Sequence, residues 1–384
     1  MIKLNQKSDC CGCYACENIC PQKCIVLKPD DEGFSYPFVE SEKCTNCELC
    51  VSVCPILRKI QSTDYQRVGY AFINNNAQKR FNSSSGAFFS ALSEKIVEDG
   101  GHVFGCVFGD NQTAVHIEAT TKAQLEPMQG SKYVQSFIGN SFSRCKELLK
   151  NGEKVLFTGT PCQINGLHSF LKKDYANLYT MDFICHGVPS PKVWEIYIKY
   201  VEKKNSSKVE TVYSRRKYFG WEKYSLMFKL KNGKEYCVST DNDVFLQLFN
   251  HDTCLRPSCH KCKFRDVNRI SDFTAADFWS VWRIMPDFYD KNGTSFVIVH
   301  SQKGNEIFNS ISNCRKQKFD ISIAAKYNPS LLSSPQENRF RAEFFANLNE
   351  NSDRWLKKKY RRYPLFKGLF IWLIESKNKI LKKK

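Results

Sequence analysis

The pattern of apolar and polar positions changes once along the chain. Residues 1 to about 60 show little helical or strand period, and their apolar positions are interrupted by cysteines. A polar stretch over residues 61–67 reads as a linker. From Val68 onward, short apolar runs alternate with segments of helical period. Residues 68–73 predict a strand. Residues 84–99 predict a helix with small residues at its start, and 102–108 the next strand after the stop signal Gly101. A helix over 141–149, a short apolar strand over 155–158 and a helix over 163–171 follow. Residues 178–184 and 191–202 repeat strand then helix. Residues 209–214, 225–230 and 235–239 predict strands, the last two joined at Asn232 and Gly233, a strong hairpin signal. Residues 296–300 and 305–312 predict a final strand and helix. This rhythm predicts an α/β domain with a mixed or parallel sheet.

Composition narrows the class. At roughly 100 to 200 residues per domain, a chain of 384 residues predicts two or three domains. Hydrophobic residues make up 42%, with 29 Phe and 17 Tyr, enough for a sizeable core. Nineteen Cys is the unusual count. The opening MIKLNQKSDC has no apolar export region, which predicts a cytoplasmic protein with reduced thiols. Dense cysteines there read as metal ligands. The net charge is +18, and residues 354–384 supply +11 of it, with twelve Lys/Arg against Glu375 alone. That basic amphipathic tail suits an anionic membrane surface, so peripheral attachment at the inner face of the membrane is an expectation. Its rival is a solvated or packed helix. No nucleic-acid motif accompanies the charge. No apolar run approaches the ~18 residues that span a bilayer.

Within the first sixty residues there is a repeat. Cys10, Cys13, Cys16 and Cys20 precede Pro21, and Cys44, Cys47, Cys50 and Cys54 precede Pro55. Both runs read C-x-x-C-x-x-C-x-x-x-C-P, the spacing of bacterial two-cluster ferredoxins, in which the fourth Cys serves the other cluster. One 4Fe-4S cluster is therefore expected on Cys10, Cys13, Cys16 and Cys54, and the second on Cys44, Cys47, Cys50 and Cys20. Thiolates two residues apart wrap one face of a cube, and the loop's free N–H groups point at its sulfurs. Zinc and disulfides are the rivals. Cys11 and Cys24 lie outside the pattern and read as bystanders, with Cys11 a substitute for Cys10.

Further segments carry a second signal. They are SSSGAFFSAL from Ser83, GSKYVQS from Gly130, FTGTPCQINGL from Phe157, DFICHGVPSP from Asp182, LRPSCHKCKF from Leu255 and SDFTAADFW from Ser271. Together they resemble the coenzyme F420 hydrogenase/dehydrogenase beta-subunit family, flavin and iron–sulfur proteins, some fused to a ferredoxin domain. The resemblance spans about residues 68–312 plus the N-terminal module. It implies a ferredoxin-like domain with two 4Fe-4S clusters over residues 1–62 and a flavin-binding α/β catalytic domain with a mixed sheet over 66–345, with residues 354–384 as the tail. It implies FAD as the central cofactor. Ser84, Ser85 and Gly86 lie where a helix is expected to begin, and free N–H groups there suit a pyrophosphate; an ordinary helix cap is the rival. Lys132 matches the family's basic residue near the flavin. Thr158, Gly159 and Thr160 follow a strand and precede a helix, the crevice where α/β folds bind ligands.

Cys162 and Cys185 stand at two neighbouring strand ends, and Cys259 and Cys262 form a C-x-x-C pair. These four are candidates for a third 4Fe-4S cluster, with a thioredoxin-like pair or zinc as rivals and Cys254 as a substitute ligand. Cys106, Cys145, Cys237 and Cys314 read as buried small hydrophobes. His186 is a candidate proton donor or a structural hydrogen-bonder. Family glycines are replaced here by Ala87, Ala276 and Ser280.

The expected function is an iron–sulfur flavoprotein oxidoreductase. It passes electrons between 4Fe-4S clusters and FAD to reduce or oxidise an organic substrate or deazaflavin. The alternative is an electron-transfer subunit with no substrate of its own, docked to a redox partner protein.

Overall fold

The computed structural model describes residues 1–58 and 64–349. The basic tail over 354–384 and part of the linker lie outside the described residues. Thirteen strands are described in order: β1 (Ile25–Pro29), β2 (Ser35–Val39), β3 (Val68–Asn74), β4 (His102–Phe108), β5 (Ala114–Ala119), β6 (Val155–Thr158), β7 (Leu178–Phe183), β8 (Val209–Arg216), β9 (Ser225–Leu230), β10 (Glu235–Ser239), β11 (Phe273–Asp277), β12 (Ser295–Val299) and β13 (Cys314–Phe319). β1 and β2 form an antiparallel hairpin inside the N-terminal module, which the broken periodicity there did not reveal.

The large sheet has eight strands in the order β13-β3-β12-β11-β7-β6-β4-β5. Its centre is parallel: β4 with β6, β6 with β7, and β7 with β11. Its flanks are antiparallel, so the sheet is mixed. A second, antiparallel sheet runs β10-β9-β8. β6 and β12 are buried at every residue, as strands covered on both faces must be.

Helices cover both faces. On one, Phe88–Glu98 and Gln302–Ser310 bury Phe88, Leu92, Ile96 and Phe308 against Val297 and Phe273. On the other, Ser141–Lys150 and Pro161–Leu171 bury Phe142, Leu167 and Phe170 against Phe104 and Phe157. Each such fully buried aromatic contributes ~1.5–3 kcal/mol. Cys13, Tyr14 and Ala15 of the N-terminal module enter this second core. The module is thus fastened to the sheet domain by burial.

Three differences from the sequence expectations have physical reasons. The helix expected from Ser84 begins at Phe88, because Gly86 is held against β3 (Asn74 N–H to Gly86 O, 2.9 Å) and Ala87 is left-handed (φ 65°). β11 escapes a periodicity reading because FTAAD is short and mostly small. β13 is a charged edge strand, CRKQKF, and β5 is the edge strand at the other end. Charge on an edge blocks pairing with further strands, and it also masks strand character.

Candidate metal centres

The two N-terminal cysteine runs fold alike. In the first, Gly12 (φ 67°) and Tyr14 (φ 67°) are left-handed and the short helix Ala15–Ile19 follows. In the second, Asn46 (φ 54°) and Glu48 (φ 59°) are left-handed and Leu49–Ser52 follows. Left-handed residues set among right-handed ones turn successive N–H groups toward one point, a nest that suits anions. Holding a non-glycine residue there costs ~1–2 kcal/mol, which packing must offset.

The runs close around two cavities. Cys10, Cys13, Cys16 and Cys54 line the first, with Cys11 and the apolar walls Ile2, Leu27 and Ile56. Cys20, Cys44, Cys47 and Cys50 line the second, together with Cys24. Each cavity takes three cysteines from one run and the last from the other. Burial, then the neighbouring Cys13, Cys10, Cys54 and Cys50, pushes the Cys16 thiol well above its ordinary value. Crowded thiols of this kind ionise together only around a positive centre. Cys24 is no bystander in position: its sulfur lies 3.4 Å from that of Cys20. Among the described residues, no group of three or more His, Cys, Asp or Glu side chains is arranged to hold a single metal ion. The thiols ring cavities instead of converging on a point. Four thiols, inward N–H groups and apolar walls fit a 4Fe-4S cube.

A third cavity, about 130 Å³, lies where the module meets the sheet. β6 and β7 are adjacent and parallel, and their C-terminal ends lead to Cys162 and Cys185 on its wall. Cys259 and Cys262, on the turn Pro257–Lys261 and just after it, complete the set. Cys11 lines the cavity as well, which its place outside the C-x-x-C pattern concealed; only its adjacency to Cys10 hinted at a role. A thiol hydrogen bond from Cys11 draws Cys162 down to about 7 against the effect of burial. Burial pushes Cys259 up to about 12 and also raises Cys185 and Cys262. The Val188 N–H reaches the Cys259 sulfur at 3.4 Å, and Lys261, Lys263, Arg265 and Arg269 stand around the wall. Positive charge and N–H donors around four thiols fit an anionic cluster here too. Cys254 is fully buried and does not line this cavity.

The residues expected to touch a flavin are engaged elsewhere. Ser85 Oγ donates to Thr294 O (2.6 Å), and Ser84 Oγ accepts from Ser131 N–H (2.8 Å). An added Cβ on Gly86 would lie 2.2 Å from Phe72 O, so this glycine serves packing against β3. Lys132 Nζ donates to the carbonyls of Pro127, Gln129 and Gly130, and burial lowers it to about 8. Thr158 Oγ1 donates to Phe104 O (3.0 Å), and Gly159 packs on Gln163. Thr160 caps the helix Pro161–Leu171, paired reciprocally with Gln163, and is the one member of this set on the wall of the large cavity. His186 is held by Asp252 (2.6 Å) and lies edge-on to Phe249, the arrangement of a structural hydrogen-bonder. Ala87 (φ 65°) and Ser280 (φ 64°), two of the three replacements for family glycines, are both left-handed.

Residues 152–321 match the model for the carboxy-terminal part of the coenzyme F420 hydrogenase/dehydrogenase beta subunit, and residues 9–56 match a 4Fe-4S dicluster domain. The dicluster domain precedes the beta-subunit segment in one chain, so an iron–sulfur electron-transfer role is established at the level of the family. The segment takes in β6 through β13 and with them Cys162, Cys185, Cys259 and Cys262 of the large cavity. No curated protein matches the chain. A chain of the F420-reducing NiFe hydrogenase complex from Methanosarcina barkeri, solved as a xenon derivative, is similar to it at 16% identity and a TM-score of 0.48, over 71% of this chain and 91% of that one. Among the described residues, no helix is long and apolar enough to cross a membrane.

Proposed function

We propose that this chain is an iron–sulfur flavoprotein oxidoreductase. It carries electrons between three 4Fe-4S clusters and FAD, and so reduces or oxidises an organic substrate or deazaflavin. One observation carries the proposal: three cysteine-lined cavities are linked one to the next through shared or neighbouring cysteines. The cavity of Cys20, Cys44, Cys47 and Cys50 includes the exposed Cys47. The cavity of Cys10, Cys13, Cys16 and Cys54 lies beside it, since Cys50 bears electrostatically on Cys16. Cys11 and Gly12 line both this cavity and the large one, where Cys162, Cys185, Cys259 and Cys262 would hold the third cluster.

A cluster in each cavity would supply a one-electron carrier. The chain's own contribution is to hold the thiolates, aim N–H groups at them, exclude water and set positive charge nearby. FAD rests on the resemblance of the segments around Ser84, Ser85, Gly86, Lys132, Thr158, Gly159 and Thr160. Because their side chains bond within the protein, contact there would fall to backbone groups.

A second reading, an electron-transfer subunit serving a redox partner protein, is favoured by the exposed Cys47, which gives a partner short access to the second cavity. Anaerobic purification followed by iron, sulfide and flavin analysis tests the first reading. About twelve irons per chain with released flavin are expected, and about eight would leave two clusters. Zinc in place of iron would sink both readings. Single turnover of a small-molecule acceptor by dithionite-reduced protein separates them, because the second predicts reaction with a protein partner only.

A further inference from the structure

Arg256 is 0% exposed. Burying a guanidinium without a negative partner costs several kcal/mol. Its Nε donates to Cys10 O (2.8 Å), Nη1 to Gln135 Oε1 (2.8 Å) and Nη2 to Ser35 O (3.0 Å). The rings of Tyr36 and Phe34 lie 4.3 and 5.5 Å from its central carbon. All of these partners are neutral, and no carboxylate pairs with it among the described residues.

Its position explains how such a charge is retained. The groups able to carry negative charge that act on it most strongly are Cys10, Tyr36, Cys11 and Cys259. Cys10 belongs to the first cavity, Cys259 to the large one, and Cys11 lines both. The loop between Cys10 and Cys13 closes directly on the guanidinium: a Cβ on Gly12 would meet Arg256 Nη1 at 3.0 Å. None of the partners named here lines the cavity of Cys20, Cys44, Cys47 and Cys50.

We propose that Arg256 is the shared counter-charge of two cluster sites, the one on Cys10, Cys13, Cys16 and Cys54 and the one on Cys162, Cys185, Cys259 and Cys262, and that it raises both reduction potentials together. The proposal rests on the reading of these cavities as cluster sites. Reduction adds one negative charge to a cluster. A fixed cation in a low-dielectric interior stabilises that reduced form more than the oxidised one. One residue thereby ties the ferredoxin module's potential to that of the sheet domain.

The test is an anaerobic potentiometric titration of the full chain, followed by electron paramagnetic resonance. R256Q removes the charge. Q135E keeps Arg256 and sets a carboxylate where the amide oxygen stood, 2.8 Å from Nη1, neutralising it within the same shape. Both variants are expected to lower two of the three cluster signals by at least tenfold in reduction equilibrium, ~59 mV for one electron. The third signal stays in place, and R256K keeps all three near the wild-type values. Unchanged potentials in Q135E overturn the proposal, as does an equal shift of all three signals, or an R256K that behaves like R256Q. If R256Q does not assemble, Q135E decides alone. Iron content of the wild type tests the underlying reading separately: about twelve irons are needed, and at about eight or fewer that reading fails before any variant is made.

Discussion

Gly166 offers a substitution for which two physical effects predict opposite signs. It lies inside the helix Pro161–Leu171, where replacing Gly by Ala ordinarily stabilises by ~1 kcal/mol. Here a Cβ would sit 2.8 Å from Cys13 Cβ and 3.0 Å from Cys13 Sγ. Cys13 Cβ is fixed by the backbone and cannot swing aside, and Cys13 is itself buried among Tyr14, Phe157 and Leu167. Helix or cysteine loop must therefore move by several tenths of an ångström. Overpacking of this kind costs ~1–3 kcal/mol. The clash outweighs propensity over most of that range, so G166A is expected to lose up to ~2 kcal/mol. The displaced loop carries a proposed ligand, so iron per chain should fall as well. The assay is the anaerobic thermal midpoint with iron content on the same sample. At ~2 °C per kcal/mol for a body of this size, a fall of a few degrees is expected. A G166A protein that gains the ~1 kcal/mol of helix propensity, with full iron, would refute this account of how the module is seated.

Other outcomes follow from the same geometry. S280G should raise the thermal midpoint by the equivalent of ~0.5–1 kcal/mol, because it relieves a left-handed serine at φ 64°; A87G should gain less, since the Ala87 methyl is buried. C24S should retain full iron while C20S loses about four, measured by metal analysis, although the two sulfurs lie only 3.4 Å apart. Burial, reinforced by the charge of Lys132, lowers His116 from 6.5 to about 4, although its hydrogen bond to Thr158 O opposes this. A depressed folded value means that the stabilising effect of neutral His116 is complete above pH 6.5 and is lost as pH falls toward 4. Wild-type stability should therefore drop by ~1 kcal/mol per pH unit across that window relative to H116N, measured by denaturant midpoints.

Local information settled a definite part of this protein. The two runs C-x-x-C-x-x-C-x-x-x-C-P grouped their eight cysteines as the structure groups them around two cavities, because such spacing is set by a few consecutive backbone turns. The strand–helix rhythm gave the α/β class and placed Cys162 and Cys185 at the ends of what are β6 and β7, since parallel-strand ends meet in space by construction. Side-chain use was another matter. Ser84, Ser85 and Lys132 read as free donors for a ligand, yet the fold spends them on Ser131, Thr294 and three carbonyls that lie far off or unmarked in sequence. Cys11 gained its place between two cavities, and Arg256 its isolation from carboxylates, only when the module was packed on the sheet through Tyr14 and Ala15. Contacts across more than a hundred residues, such as Arg256 with Cys10 and Gly166 with Cys13, depend on that docking. Propensity and spacing act within a turn or two of chain, whereas burial joins whatever surfaces the finished layers bring together.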